Sequence, residues 1–390
     1  SMFKGKEIAK IPNDDRHLDY NTMVDNKGQL DPVTIDPEND TALYQYTGGT
    51  TGVPKAAELT HANLIANTEQ VAAWLPNAKA GEDKMLGVLP FFHVFAMTVV
   101  MNFSVKMGFE IIATPRFDLD DTLKIINKKK PQMFPAVPAI YTAINNHSKR
   151  DQYDLTSLST CVSGGAPLPV EVKKKFEEKT GCVVVEGYGL SESSPVLCVN
   201  PVESKNKAGA IGMPLPQTLI ELRDPETNKV VKQGERGELC AKGPQVMKGY
   251  WNKPDANKST LIDGWLKTGD IATMDEDGYF YIVDRIKDMI ITNGYNVYPR
   301  NVEEGIYLHP SVEECIVAGL PDKNRGEIVK AWIKLKDGRN LTESDLKEFL
   351  KDKISPMEIP KRIEFRDEPL PKTMIGKLSR KDIVEQETKK

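Results

Sequence analysis

The sequence predicts an α/β protein: a layered α/β subdomain, then a β-rich subdomain, then a small α+β domain. Three observations carry this. From Thr41 apolar runs alternate with amphipathic stretches, after Gly209 the pattern turns to short strands, and beyond Arg285 comes a compact tail of about 100 residues.

In the first part, LYQYT reads as a strand, Ala62 to Trp74 as a helix, FEIIATP as a strand and Asp120 to Lys128 as a helix. The rhythm continues with STCVSGG as a strand, Val170 to Lys179 as a helix and CVVVEGYG as a strand ending on glycines, where active sites often lie. The most apolar run, Leu89 to Val105, contains His93 and Asn102; it is too short and polar for a membrane span and reads as a buried helix. In the β-rich part LIELRD and GELCAKG read as strands and MDEDGYFYIVD as a hairpin turning at Asp277 and Gly278. In the tail CIVAGL and AWIKLK read as strands, and Thr342 opens the helix ESDLKEFLKDKI with Asp345 at capping-box spacing. The division expected is a polar lead-in over 1–40 without regular structure, a large domain over 41–283 and a small one over 284–390.

A net charge of -4 over 390 residues argues against a nucleic-acid binder, which needs a basic surface. The five cysteines never fall in a CxxC pair, so neither a disulfide framework nor a zinc site is indicated and a reducing cytoplasm fits best. No secretory leader is visible, and Ser1 before Met2 reads as a residue left by tag removal.

The strongest chemical signal is YTGGTTGVPK, Tyr46 to Lys55: small and hydroxyl residues on a loop after a strand, closed by a lysine. Backbone amides can approach phosphate oxygens there, the hydroxyls add donors and Lys55 adds charge, so polyphosphate binding is suggested. It lacks the GxxxxGK[ST] order of a P-loop. A plain flexible turn is the competing reading. SGGAP brings Gly165 and Ala166 to a strand end, and EGYGLSES follows at the next, with Tyr188 able to lie against an adenine and Glu192 able to hold magnesium. GWLKTGD places Asp270 after a Thr-Gly turn, suited to two ribose hydroxyls, and VDRIKDMIITNGYNVYP places Arg285 at the junction with the tail and a turn at Gly294. PKTMIGKLSR offers Lys377 on a loop. Taken singly, Tyr188 reads equally as a core aromatic, Asp270 as a turn aspartate, Arg285 as a surface ion-pair partner and Lys377 as a solvated lysine.

In this order and spacing the motifs resemble the adenylate-forming superfamily of acyl-CoA synthetases, beetle luciferases and peptide-synthetase adenylation domains, over Thr41 to about Arg380. The Tyr-Thr-Gly-Gly-Thr-Thr-Gly form and the Asn-Gly-Tyr-Asn-Val-Tyr-Pro run look most like bacterial long-chain fatty acyl-CoA synthetases; Ser191, where threonine is commoner, keeps the hydroxyl. The resemblance implies that Thr47, Gly48, Gly49, Thr50, Thr51, Gly52 and Lys55 hold the ATP phosphates. It implies Gly165, Ala166, Glu186, Gly187, Tyr188, Gly189 and Ser191 around adenine and the acyl carboxylate, Glu192 on magnesium, and Asp270 with Arg285 on the ribose. Lys377 would be the adenylation lysine and Asp284 the hinge of a mobile small domain. Rotation of that domain would bring Gly294 and Tyr295 to the CoA side. His93, in PFFHVFAM, falls where an aromatic or histidine lies beside the acyl carboxylate, a satisfied core histidine being the alternative; the segment supplies no aspartate for an amino-acid substrate, which favours a plain carboxylic acid.

The activity implied is ATP-dependent activation of a fatty acid to acyl-AMP, then thioester formation with CoA, with magnesium as cofactor. No protein nucleophile is required, because the mixed anhydride is itself the activated species. Only 45 residues precede Tyr46, so the first subdomain is expected to be incomplete at its N-terminus, with an uncovered edge that invites a homodimer. The location implied is cytoplasmic, with peripheral membrane association allowed. Two alternatives stay open: an adenylating enzyme with a non-CoA acceptor such as a carrier protein, and a catalytically impaired nucleotide- or acyl-binding fragment.

Overall fold

The computed structural model describes residues 12, 14–25, 27–28, 32–47, 54–373 and 378–389. Four sheets organise them. The largest has seven strands in the order Glu110–Ala113, Lys84–Gly87, Met133–Ala136, Thr160–Ser163, Val183–Gly189, Val196–Val199, Met213–Pro214. Its first five strands run parallel, and the last two turn antiparallel. Strands covered on both faces are mostly apolar; Thr160–Ser163 and Val196–Val199 are buried at every position, Thr160 and Ser163 being the polar exceptions. Helices cross between the parallel strands, and the core between them and the sheet includes Phe103, Phe134, Tyr141 and Phe176, all but inaccessible.

The helix His61–Trp74 is fastened to this sheet by polar side chains. Thr60 and Asn63 form a reciprocal cap at its start, and buried Asn67 exchanges two hydrogen bonds with the backbone of Val196, at 2.8 and 2.9 Å. The apolar run 89–105 departs from the expected helix. The turn 90–93 precedes it; Ala96–Asn102 is wound as a π-helix, continued as α-helix over Phe103–Met107. Thr98 inside the wide turn donates 2.7 Å to the Ser194 carbonyl, a lateral tie from the helix to the loop after Gly189. Such insertions are frequent at functional sites.

A three-stranded sheet joins Thr41–Thr47, Lys55–Thr60 and Gly249–Tyr250, and a five-stranded one is built around Trp265–Met274. In the expected hairpin the loop is wider than the pair Asp277–Gly278: Asp275 accepts the N–H groups of Asp277 and Tyr279, so residues 275–279 form the connection. After Phe280–Arg285 the chain builds a further sheet around the long hairpin Val312–Asp322 and Gly326–Leu335. One face of it carries Pro299–Tyr307 and Glu343–Leu350, and Trp332 is packed with Ile383 of the last helix. The Thr342 cap is present, with Asp345 N–H donating 3.1 Å to its hydroxyl, and the helix stops at Leu350. The lead-in contains a short exposed helix, Tyr20–Val24, capped by Asp19, where none was expected; a local cap suffices for one turn without burial.

Candidate active site

The ends of strands Thr160–Ser163 and Val183–Gly189 open onto a cavity of about 210 Å³. Its mouth is formed by His93, Gly165, Tyr188, Gly189, Ser191 and Arg285, and its walls by apolar side chains including Val71, Phe95 and Val199. Gly165 has φ +79°, a left-handed turn that carries the chain off the strand end. At Gly189 a β-carbon would collide with the Pro195 carbonyl oxygen, because the neighbouring strand approaches the bare backbone. Gly187 lines the same cavity, whereas Ala166 follows the Gly165 turn without lining it.

Across the mouth lies a tight polar triplet. Tyr188 Oη donates 2.6 Å to Asp270 Oδ2, and Arg285 Nε forms an ion pair with Asp270 Oδ1 at 3.0 Å. Antiparallel pairing of Trp265–Met274 with Phe280–Arg285 sets Asp270 opposite Arg285, so two distant motifs meet by register. Asp270 is buried and Arg285 half exposed, and the adjacent carboxylate raises the guanidinium pKa. Burial, then the Asp270 charge, drive the Tyr188 phenol far above its ordinary value, so it stays a donor.

Thr47 and Lys55 face each other at the base of the hairpin, Thr47 Oγ1 donating 3.3 Å to the Lys55 carbonyl. Gly48, Gly49, Thr50, Thr51 and Gly52 lie outside the described residues, as does Lys377. Glu192 sits beside this base: Tyr250 Oη donates 2.7 Å to its Oε1, and Lys55 Nζ stands 4.9 Å from the centre of the Tyr250 ring. Among the described residues no three His, Cys, Asp or Glu side chains cluster as a metal cage. A single half-exposed carboxylate beside a lysine suits a magnesium ion that takes its other ligands from phosphate oxygens and water.

His93 accepts at Nδ1 from the Phe95 N–H at 3.3 Å, which leaves the proton of the neutral ring on Nε2. Burial lowers its pKa, favouring that neutral donor form. Glu186 projects from the opposite face of its strand to Gly187, accepts 3.2 Å from Leu168 N–H, and has its carboxyl pushed up to about 7 by burial, against the pull of Arg300. Asp284 is buried too; it accepts from Arg300 N–H at 2.6 Å and from Arg380 at 3.4 Å, and Arg380 also grips Glu303 at 2.6 Å and Asp288 at 3.1 Å. Gly294 lies in the turn between Ile290–Thr292 and Tyr295–Val297, and exposed Tyr295 begins the second of these strands; neither lines the cavity.

The geometry thus joins His93, Gly165, Gly187, Tyr188, Gly189, Ser191, Asp270 and Arg285 at one mouth, with Glu192 and Lys55 adjacent. It sets Glu186, Asp284, Gly294 and Tyr295 apart from the cavity. Sequence reasoning missed Tyr250, whose GYW setting gives no hint of a carboxylate partner, and Lys287, whose amine has its pKa lowered first by burial and then by Arg285, and which feels Asp270 and Glu192.

The site defines a class. The sequence pattern of the AMP-binding enzyme family matches residues 4–251, and that of the AMP-binding enzyme C-terminal domain matches 301–377. The chain belongs to this family. Among individual relatives, it is 53% identical over 354 residues to a long-chain-fatty-acid–CoA ligase of Bacillus subtilis, covering 91% of this chain and 63% of that protein. With the protein of the same name from Yersinia pestis the identity is 41%, over 95% of this chain and 66% of the relative. The chain therefore spans just under two thirds of the length of these curated relatives. The fold matches ATP-bound MatB from Rhodopseudomonas palustris at a TM-score of 0.83 and 32% identity, covering 90% of this chain and 68% of that one. It also matches o-succinylbenzoate CoA synthetase (MenE) of Bacillus subtilis with its acyl-adenylate intermediate, at 0.78 and 31%, over 89% and 69% of the two chains.

Proposed function

We propose that this chain carries the adenylating site of a fatty acid–CoA ligase, using ATP and CoA. The observation that carries the reading is an apolar cavity whose mouth is ringed by the Tyr188–Asp270–Arg285 triplet, His93 and bare glycine backbone. An apolar chain fits inside while its carboxylate stays at the polar rim.

The fatty acid carboxylate oxygen attacks the α-phosphorus of ATP; the bond to the bridging oxygen breaks, and pyrophosphate leaves with the electron pair. The neutral His93 ring donates toward the carboxylate, Lys55 and the segment 47–55 hold the phosphates, and Arg285 with Asp270 holds the ribose, the Asp270 carboxylate accepting from its hydroxyls. Lys377 brings positive charge to the five-coordinate phosphorus. Glu192 would hold magnesium beside the phosphates, where the ion would supply positive charge toward the pyrophosphate leaving group. CoA thiolate then attacks the acyl carbonyl carbon, and AMP leaves as the carbon–oxygen bond of the anhydride breaks. Residues 284–390 act as the small domain, with Asp284 as hinge and the Gly294–Tyr295 turn serving the thiol. The five cysteines are free and buried, which suits a reducing cytoplasm, and no helix among the described residues is long and apolar enough to cross a membrane.

The test is AMP release from MgATP with octanoate or palmitate, with and without CoA. Release that requires both acid and CoA is expected. Acid-dependent pyrophosphate exchange without CoA-stimulated AMP release would assign a different acceptor.

A further inference from the structure

The cavity lining runs back from its polar side along two paired strands and one helix. Strands Val183–Gly189 and Val196–Val199 run antiparallel, Gly189 opposite Val196 and Gly187 opposite Val199, and the next backbone pair joins Asn200 N–H to the Glu186 carbonyl at 2.9 Å. The helix His61–Trp74 follows the same course over this sheet. Its Asn67 is bonded to Val196, and Trp74 Nε1 donates 3.2 Å to the Asn200 carbonyl. Trp74 is therefore level with Glu186, three residues back from Gly189, or roughly 10 Å at ~3.3 Å per strand residue. Together with Val71, Leu75, Val199 and Leu215 it lines the cavity at the end away from the polar mouth.

We infer that Trp74 is the stop that sets how much acyl chain the site encloses. This rests on reading the cavity as the acyl site. An apolar void of about 150 Å³ holds the six carbons of benzene; the 210 Å³ here corresponds on that scale to about eight carbons. A longer chain reaches further only if the indole is displaced. Leu75 beside it is buried in the core, whereas Trp74 keeps part of its surface in solvent and is held to the sheet by one hydrogen bond, so it is the element of the wall that can yield. Each methylene withdrawn from water is worth about a fourfold gain in affinity, so removing the stop favours long acids over short ones.

The test is equilibrium binding of radiolabelled octanoate and palmitate to the wild-type chain and to Trp74→Ala, Trp74→Leu and Trp74→Phe, each checked by its melting temperature. Trp74→Ala is expected to raise the palmitate-to-octanoate affinity ratio by about tenfold or more, and Trp74→Phe, which keeps a ring but loses the Asn200 bond, to change it by less than about threefold. If Trp74→Ala does not fold, Trp74→Leu carries the comparison. Folded variants with an unchanged ratio overturn the role of Trp74 while leaving the acyl site intact. Binding of neither acid by any of the proteins overturns the acyl reading of the cavity and the inference with it.

Discussion

At the residue scale, the ionisable groups that the fold buries respond to pH in ways that can be measured. Glu186 has a carboxyl raised to about 7 from 4.5, chiefly by burial. A raised folded-state value means that the folded form binds this proton more tightly. The associated stability is fully present below about pH 4.5 and is lost as pH rises through about 7, to an extent of about 3 kcal/mol. Glu186→Gln keeps an acceptor for Leu168 N–H and removes the titration. Its melting temperature should fall less than that of the wild type between pH 5 and pH 8, and parallel curves would contradict the assignment. A second residue-scale prediction concerns Tyr250, which holds Glu192 by one hydrogen bond to a carboxylate. A bond of this charged kind is worth about 1.5–3 kcal/mol, so Tyr250→Phe should lower adenylation by about tenfold or more. The loss should shrink at high magnesium if Glu192 serves the metal, whereas an unaltered magnesium dependence would separate the two.

At the element scale, the segment Phe280–Arg285 has two attachments. Its backbone belongs to the five-stranded sheet, with Asp284 opposite Ile271, while the Asp284 side chain is held by Arg300 N–H and by Arg380 of the last helix. Arg380 answers three carboxylates, and burial raises the pKa of both Asp284 and Glu303. Arg380→Met would leave those carboxylates buried without their cation, at a cost of about 2–4 kcal/mol, below a fully enclosed pair because part of the arginine stays in water. The loss should be greatest at pH 7–8 and diminish toward pH 4.5, where protonation relieves the uncompensated charge. Chemical denaturation at the two pH values checks this, and an equal loss at both would mean that packing rather than charge is responsible.

The strands and helices that the apolar rhythm foretold are present because sheet burial and helix periodicity are local properties of sequence. The π-helix over Ala96–Asn102 was not legible: nothing in its local apolar pattern marks it, and its tie from Thr98 reaches Ser194, almost a hundred residues away. Arg380 escaped notice for the same reason, since nothing near it in sequence shows that Asp284, Asp288 and Glu303 converge there.

At the scale of the whole molecule, the site is assembled from sequence-distant pieces by sheet order. The parallel strands bring Gly165 and Tyr188 side by side, the hairpin of the second sheet delivers Asp270 and Arg285, and the three-stranded sheet sets Lys55 and Tyr250 against Glu192. The motifs were legible because glycine, hydroxyl and single charged residues at strand ends are a local signature of phosphate and nucleotide chemistry. Their mutual geometry was not, because Tyr188–Asp270 and Tyr250–Glu192 are contacts across 82 and 58 residues. The Thr41–Thr47 strand at the edge of its sheet turns Ala42, Tyr44 and Tyr46 outward, with the Trp251 ring tilted against Tyr44 at 5.4 Å.

The central claim is that the cavity mouth activates a fatty carboxylate on ATP. Its most direct test is fatty-acid-dependent exchange of labelled pyrophosphate into ATP by this polypeptide, across acids from acetate to palmitate, beside a Lys377→Ala control. Exchange that depends on the acid and falls by a hundredfold or more, about 3 kcal/mol of transition-state stabilisation, in the control is the predicted result. Measurable ATP binding with no exchange for any acid would contradict it.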